Sequence, residues 1–280
     1  MSYYKILGLE KEPFSTSPDP EFFYLSQEHK AALYRLRTAI KLKRGLSVIL
    51  GDIGTGKTTL ARRLFQTLKK EDDNVVCYML LNPIYSSVKE FLVYLLELFQ
   101  IEFHSARPST IEYLKAIEKF LFKKNIEEKT TVVLLIDEAQ KLSEPCMEIL
   151  RTLLNYETNE YKILQLILMG QMELLPRVRN LKNFWDRVAL KYIINPLDEF
   201  ETKEVISYRL NQAGYSSRYP LFKDEAISEI YDFTQGYPRK ITMLCHDCLE
   251  NLIMRKKEFV DRDGVGELVE KERKLNAMDA

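Results

Sequence analysis

Residues 46–60 constrain this chain more than any other stretch. Leu46-Ser47-Val48-Ile49-Leu50 is a short apolar run of β type, and it leads directly into Gly51-Asp52-Ile53-Gly54-Thr55-Gly56-Lys57-Thr58-Thr59. Leu60, Ala61, Leu64, Phe65 and Leu68 then recur at helical spacing. Strand, glycine-rich turn and helix in that order, with G-x-x-x-x-G-K-[ST] complete from Gly51 to Thr58, predict a phosphate-binding loop. A triphosphate is a dense anion, so such a loop must aim several backbone N–H groups inward with no Cβ in the way. Gly51, Gly54 and Gly56 permit that path. The positive end of a helix beginning near Lys57 adds to it. In this setting Lys57 would bridge the β- and γ-phosphate oxygens of ATP, and the Thr58 hydroxyl would take a coordination position on Mg²⁺.

The rest of the chain alternates strands with helices. A helix from about Gln27 to Arg44, stopped by Gly45, puts Ala32, Leu33, Leu36, Ala39 and Ile40 on one face. Its other face carries Lys30, Arg35, Arg37, Lys41, Lys43 and Arg44, a solvated face or a set of phosphate contacts. Asn74–Leu81, Thr131–Ile136, Lys162–Gly170 and Ala189–Ile194 read as further strands, with helices near 88–99 and 110–122 and one opened by Pro145. Continuous apolar strands separated by helices mean a parallel sheet covered on both faces. After Pro196 only helical patterns follow, near 201–213, 223–234, 238–254 and 263–274. We therefore expect an α/β nucleotide-binding core over residues 1–196 and a helical subdomain over 197–280. The aromatic stretch with Pro13-Phe14, Pro18-Asp19-Pro20 and Phe22-Phe23-Tyr24 should be packed, as part of a base pocket or as a plug at the core edge.

The strand ending Ile136-Asp137-Glu138-Ala139-Gln140 supplies the acidic half of a nucleotide site. A carboxylate at the carboxyl end of a strand near the phosphate loop can hold Mg²⁺, which is the role expected of Asp137. Glu138 beside it is placed to polarise an attacking water as general base. Gln171, just past Met169-Gly170, is either a holder of that water or the γ-phosphate, or a surface amide. Arg187, just before the last strand, can stabilise charge in a neighbouring subunit's triphosphate, pair with Asp186, or yield the role to Arg177 or Arg179. Arg239 in Gly236-Tyr237-Pro238-Arg239 stands at a helix start marked by Pro238 and can reach a γ-phosphate from the helical subdomain. Cys245-His246-Asp247-Cys248 has metal-ligand spacing but no second Cys/His pair, and it lies in a helical pattern, so two helix-face cysteines are expected.

With these residues in place, the chain resembles the AAA+ ATPases, and among them the ExeA/GspA family of general secretion. The likeness runs from Tyr4, Gly8-Leu9, Pro13-Phe14 and Pro18-Asp19-Pro20 through Phe23, Leu25-Ser26 and His29 to the phosphate loop. It continues through Ile136-Asp137-Glu138-Ala139-Gln140, Leu153–Thr158, Met169-Gly170-Gln171, Arg187-Val188 and Gly236–Arg239. The resemblance implies a P-loop NTPase with a three-layer αβα core, a parallel five-stranded sheet in the order 5-1-4-3-2, and a C-terminal helical lid. It implies Gln171 as sensor 1, Arg187 as arginine finger, Arg239 as sensor 2, and a homo-oligomer with sites completed between subunits. It implies an ATPase supporting assembly of a secretion or type IV pilus-like envelope machine. ExeA-like proteins also carry a membrane helix and a peptidoglycan-binding domain after the ATPase. This chain ends after the lid helix, so a stand-alone ATPase or a fragment is expected.

The alternative is an ATP-dependent DNA-binding transposition regulator of the TniB/MuB kind that recruits a transposase. Lys+Arg and Asp+Glu both number 41, so only a local basic patch could hold DNA. Four cysteines, a start (Met1-Ser2-Tyr3-Tyr4-Lys5) without a signal-peptide core, and no apolar run of about 18 residues predict a cytoplasmic protein with no transmembrane segment. A partner could still hold it at the inner membrane.

Overall fold

The computed structural model describes the whole chain except residues 1, 17, 18, 72, 105–107, 182, 279 and 280; Pro18 of the expected Pro18-Asp19-Pro20 run thus lies outside the described residues. In chain order the elements are α1 (Tyr3–Ile6), α2 (Gln27–Lys41), β1 (Leu46–Gly51), α3 (Lys57–Glu71), β2 (Val75–Leu80), α4 (Val88–Leu98), α5 (Thr110–Phe122) and β3 (Thr131–Ile136). There follow α6 (Glu144–Leu153), β4 (Leu164–Gly170), α7 (Leu174–Asn180), β5 (Val188–Ile194), α8 (Glu199–Gln212), α9 (Asp224–Thr234), α10 (Pro238–Met254) and α11 (Arg262–Met278).

All five strands are parallel, in the order β2-β3-β4-β1-β5, which is the expected 5-1-4-3-2 read from the other edge. Every residue of β1, β3 and β4 is buried, as uninterrupted apolar runs in the middle of a parallel sheet require. The edge strands differ: β5 alternates, with Ala189, Lys191 and Ile193 turned to solvent. One polar side chain interrupts β4. Gln165 is buried, and it is satisfied twice, its Oε1 accepting from the Gly45 N–H at 2.8 Å and its Nε2 donating to the Lys162 carbonyl at 2.7 Å. Gly45 sits at φ +89° against the Lys162 side chain, which is why the turn after α2 needs glycine.

Two compact units partition the chain. Glu28–Ile53 and Leu60–Ile194 form the sheet unit; Met1–Gln27, Gly54–Thr59 and Asn195–Ala280 form the helical unit. The amino-terminal segment, which we expected within a 1–196 core, thus packs in the helical unit, and its side chains give the reason. Phe14 is buried in the cluster of Leu197, Ile206, Leu210 and Ile230, with its ring edge-to-face on Phe222 at 5.9 Å. Arg209 of α8 donates to the carbonyls of Pro13 and Ser15, both at 2.8 Å, and to the Thr242 hydroxyl at 3.1 Å. No helix among the described residues is long and apolar enough to cross a membrane.

Candidate nucleotide site

The phosphate-loop residues continue β1 into α3. Gly51 ends the strand, and Gly54 and Gly56 adopt φ +86° and +90°, a backbone region that β-carbons disfavour. Asp52 and Ile53 are exposed, Thr55 is buried, and Thr58 and Thr59 are half-buried in the first turn of α3. Lys57 opens that helix and is only 6% exposed. A buried ammonium needs anionic or carbonyl partners, and a helix N-terminus attracts anions to the same place.

Register fixes the acidic residues relative to the strand that carries the loop. Ile136 pairs with Leu168 of β4, and Leu168 in turn with Val48 of β1. Asp137 is thus level with Met169 and Ile49, and Glu138 with Gly170 and Leu50. The ends of β3 and β1 are two strand spacings apart, about 10 Å. Asp137 is 2% exposed, donates its N–H to the Leu80 carbonyl at 2.9 Å, and accepts from the Glu138 N–H at 3.0 Å.

Glu138 occupies the left-handed region at φ 54°, ψ 35° and is half-buried. Its carboxylate is held from two sides. Gln140 Nε2 donates to Oε2 at 2.9 Å, and Lys141 Nζ lies 3.4 Å from the same oxygen. Lys141 also donates to the Asn82 side chain, just beyond β2, at 2.8 Å. The Oε1 of Gln140 accepts from the backbone N–H of Gln171 at 3.1 Å. Arg177 of α7 then donates to the carbonyls of Gln140 and Leu142, fixing the turn from below.

The remaining expected residues fall in separate places. The backbone of Gln171 is tied to Gln140. Arg187 donates to the Asn155 side chain, so Asp186 is not its partner. Arg177 donates to the carbonyls of Gln140 and Leu142, and Arg179 lies over the Trp185 ring at 5.1 Å. In the helical unit, Arg239 donates its backbone N–H to the Gly54 carbonyl at 3.3 Å, and its side chain is exposed. A β-carbon on Gly54 would come within 3.0 Å of the Arg239 Cβ. Gly236 explains its motif: at φ +72°, a β-carbon there would lie 1.8 Å from the Leu197 carbonyl oxygen. Cys245 and Cys248 are buried on α10, and burial pushes their thiols up, Cys248 to about 12, so both are packing residues.

Residues 40–178 match the AAA domain family AAA_22. General secretion pathway protein A of Aeromonas hydrophila is 32% identical over 249 residues, which is 88% of this chain and 44% of that protein. The chain belongs with the GspA-like AAA ATPases. It spans less than half the length of that relative. The fold of this GspA-like chain recurs in the ORC2 protein of Aeropyrum pernix, solved with ADPNP and ADP, with a TM-score of 0.65, 15% identity and coverage of 93% of this chain and 71% of that one. Drosophila ORC bound to DNA gives 0.68 at 19% identity, covering 95% and 65%. The Thermotoga maritima RuvB Holliday junction branch migration motor gives 0.54 at 18%, covering 88% and 69%.

Sequence reasoning missed Gln140 and Arg177 as parts of this site. Gln140 stood in the Asp-Glu-Ala-Gln motif without a role. Arg177 binds carbonyls 35 and 37 residues away, which no local pattern announces.

Proposed function

We propose that the chain binds ATP with Mg²⁺ and hydrolyses it. The observation that carries this is Glu138, held in a left-handed turn at the end of β3, in a chain with a complete phosphate loop. The loop fits a polyphosphate, since two of its glycines adopt positive φ and Lys57 heads α3. The Thr58 hydroxyl and Asp137 carboxylate are the hard oxygen donors that would hold Mg²⁺, which neutralises phosphate charge when bound. Glu138 takes a proton from water as the water oxygen attacks the γ-phosphorus. The bond to the β-phosphate bridging oxygen breaks, giving ADP and phosphate. Gln171, Arg187 and Arg239 are proposed as the γ-phosphate sensor, the finger offered to a neighbouring copy, and the nucleotide reader of the helical unit. This makes residues 197–280 a lid and the working form a homo-oligomer.

The likeness to general secretion pathway protein A supports a role in assembling a secretion or pilus-like envelope machine. The test of the chemistry is phosphate release from Mg-ATP by the purified chain, compared with Glu138→Gln. The variant should bind ATP as tightly as the wild type and lose at least about a hundredfold in turnover, the size of a general-base contribution. Undiminished turnover would remove Glu138 from the role.

One observation favours a second reading, ATP-dependent DNA binding in the service of a transposase. Lys30, Arg37 and Lys41 of α2 line a groove of about 790 Å³ beside Thr67, Asn74 and Val75, with Tyr34 74% exposed at its wall. Cations flanking an exposed ring are what a nucleic-acid strand meets on a binding surface. Two of the proteins sharing the fold are an ORC bound to DNA and a Holliday junction motor.

A further inference from the structure

Gln140 joins the turn after β3 to the segment that leaves β4. It is 8% exposed, and the two ends of its amide hold different partners. The nitrogen donates to Glu138 Oε2 at 2.9 Å; the oxygen accepts from the Gln171 N–H at 3.1 Å. The first bond grips the carboxylate at the tip of β3. The second grips the peptide that leaves the tip of β4. The space for this amide is provided by Gly170. Its φ is ordinary for a strand, so conformation does not call for glycine. A β-carbon there would lie 2.8 Å from Gln140 Oε1 and 2.9 Å from Leu174 Cδ2. The main chain on the other side is held as well, by the Arg177 guanidinium on the carbonyls of Gln140 and Leu142.

We propose that Gln140 is a positioning residue for the reaction, a crossbar that sets the Glu138 carboxylate and couples its orientation to the segment carrying Gln171. Both partners of the carboxylate, Gln140 and Lys141, fall on Oε2. That directs Oε1 to the attacking water and defines which oxygen receives the proton. A neutral amide suits this role. It orients the carboxylate by one hydrogen bond and adds no positive charge to that of Lys141, which already lies 3.4 Å from Oε2. The amide also has a donor and an acceptor on one planar group, so a shift of the Gln171 peptide moves the grip on Glu138. This inference rests on Glu138 being the general base.

The test uses the full chain and three variants, with kcat and KM for Mg-ATP, the Kd of a fluorescent ATP analogue, and the melting temperature of each. Gln140→Glu keeps an oxygen for the Gln171 N–H and replaces the donor facing Glu138 with a second carboxylate. Gln140→Leu removes both bonds. Gly170→Ala leaves Gln140 in the chain and crowds its oxygen. All three should lower kcat by tenfold or more with KM and Kd within about threefold of wild type, since none touches the phosphate loop. Gln140→Glu should be at least as slow as Gln140→Leu. A packing role alone would move melting temperature and Kd and leave kcat per folded molecule unchanged. Wild-type kcat in Gln140→Glu, with Glu138→Gln inactive, overturns the crossbar and spares the base. Turnover that survives Glu138→Gln overturns the base itself, and the crossbar with it.

Discussion

Glu138 holds a backbone conformation that costs a non-glycine residue about 1–2 kcal/mol, and two side chains grip its carboxylate. Strain of this kind persists where the surroundings over-determine it; here Gln140 and Lys141 hold the carboxylate, and Arg177 holds the carbonyls of the turn that follows. Lys57 shows the complementary economy, an ammonium at a helix N-terminus with 6% exposure. In water a lysine would be indifferent to its position; here it is held largely out of solvent at the start of α3. Lys57→Ala should weaken ATP binding by roughly 10- to 100-fold, the equivalent of a charge-assisted contact of about 1.5–3 kcal/mol. Titration with a fluorescent ATP analogue checks this, and tight binding by the variant would contradict the loop assignment.

The elements show how local rules set the scaffold. Asp261 precedes α11 and accepts from the Gly264 N–H at 2.9 Å while Lys257 Nζ donates to its two oxygens at 3.1 and 2.8 Å. The Lys257 hydrogen bond, helped by the Gly264 N–H, holds this carboxyl below its ordinary 3.8. A depressed carboxyl stabilises the folded state above its unfolded pKa and loses that contribution as the pH falls through the folded value. Asp261→Ala should therefore cost about 1 kcal/mol at neutral pH, as the loss of a helix cap does. The difference from wild type in urea melts should shrink as the pH is taken below 3.8. Most elements were legible because their signals are local: β3 spans the Thr131–Ile136 run, and α10 begins at Pro238 as a proline at a first turn suggests. Two helices were not. α1 is a single turn, and α7 carries Pro176 inside its first turn, where the helical pattern is too short to outweigh a breaker. The glycine-rich turn after β1 and the acidic pair after β3 stand where the contiguous sequence put them, at strand ends. The crossbar between β3 and β4 was not, since Gln140 and Gln171 meet across 31 residues.

At the scale of the molecule, the aromatic amino terminus could be recognised as packed, yet its partner could not be read. An apolar ring is equally content against a sheet or a helical bundle, and Phe14 takes the bundle. Charge works similarly. The 41 cations balance 41 anions overall, so affinity for DNA would need a local basic patch, such as the groove on α2. If that groove serves DNA, binding should be strong at low salt and fall steeply as salt rises, with a log–log slope of roughly −1 per phosphate contacted. Lys30→Glu combined with Lys41→Glu should flatten that slope. Absence of any gel shift at low salt, and of any stimulation of hydrolysis, would leave the envelope-machine reading alone. Finally, the bond from the Arg239 amide to the Gly54 carbonyl gives the protein a native reporter. Deuterium can replace that amide proton only when the link opens. The exchange rate of one peptide group, followed with and without ATP, would register occupancy of the loop without label or mutation.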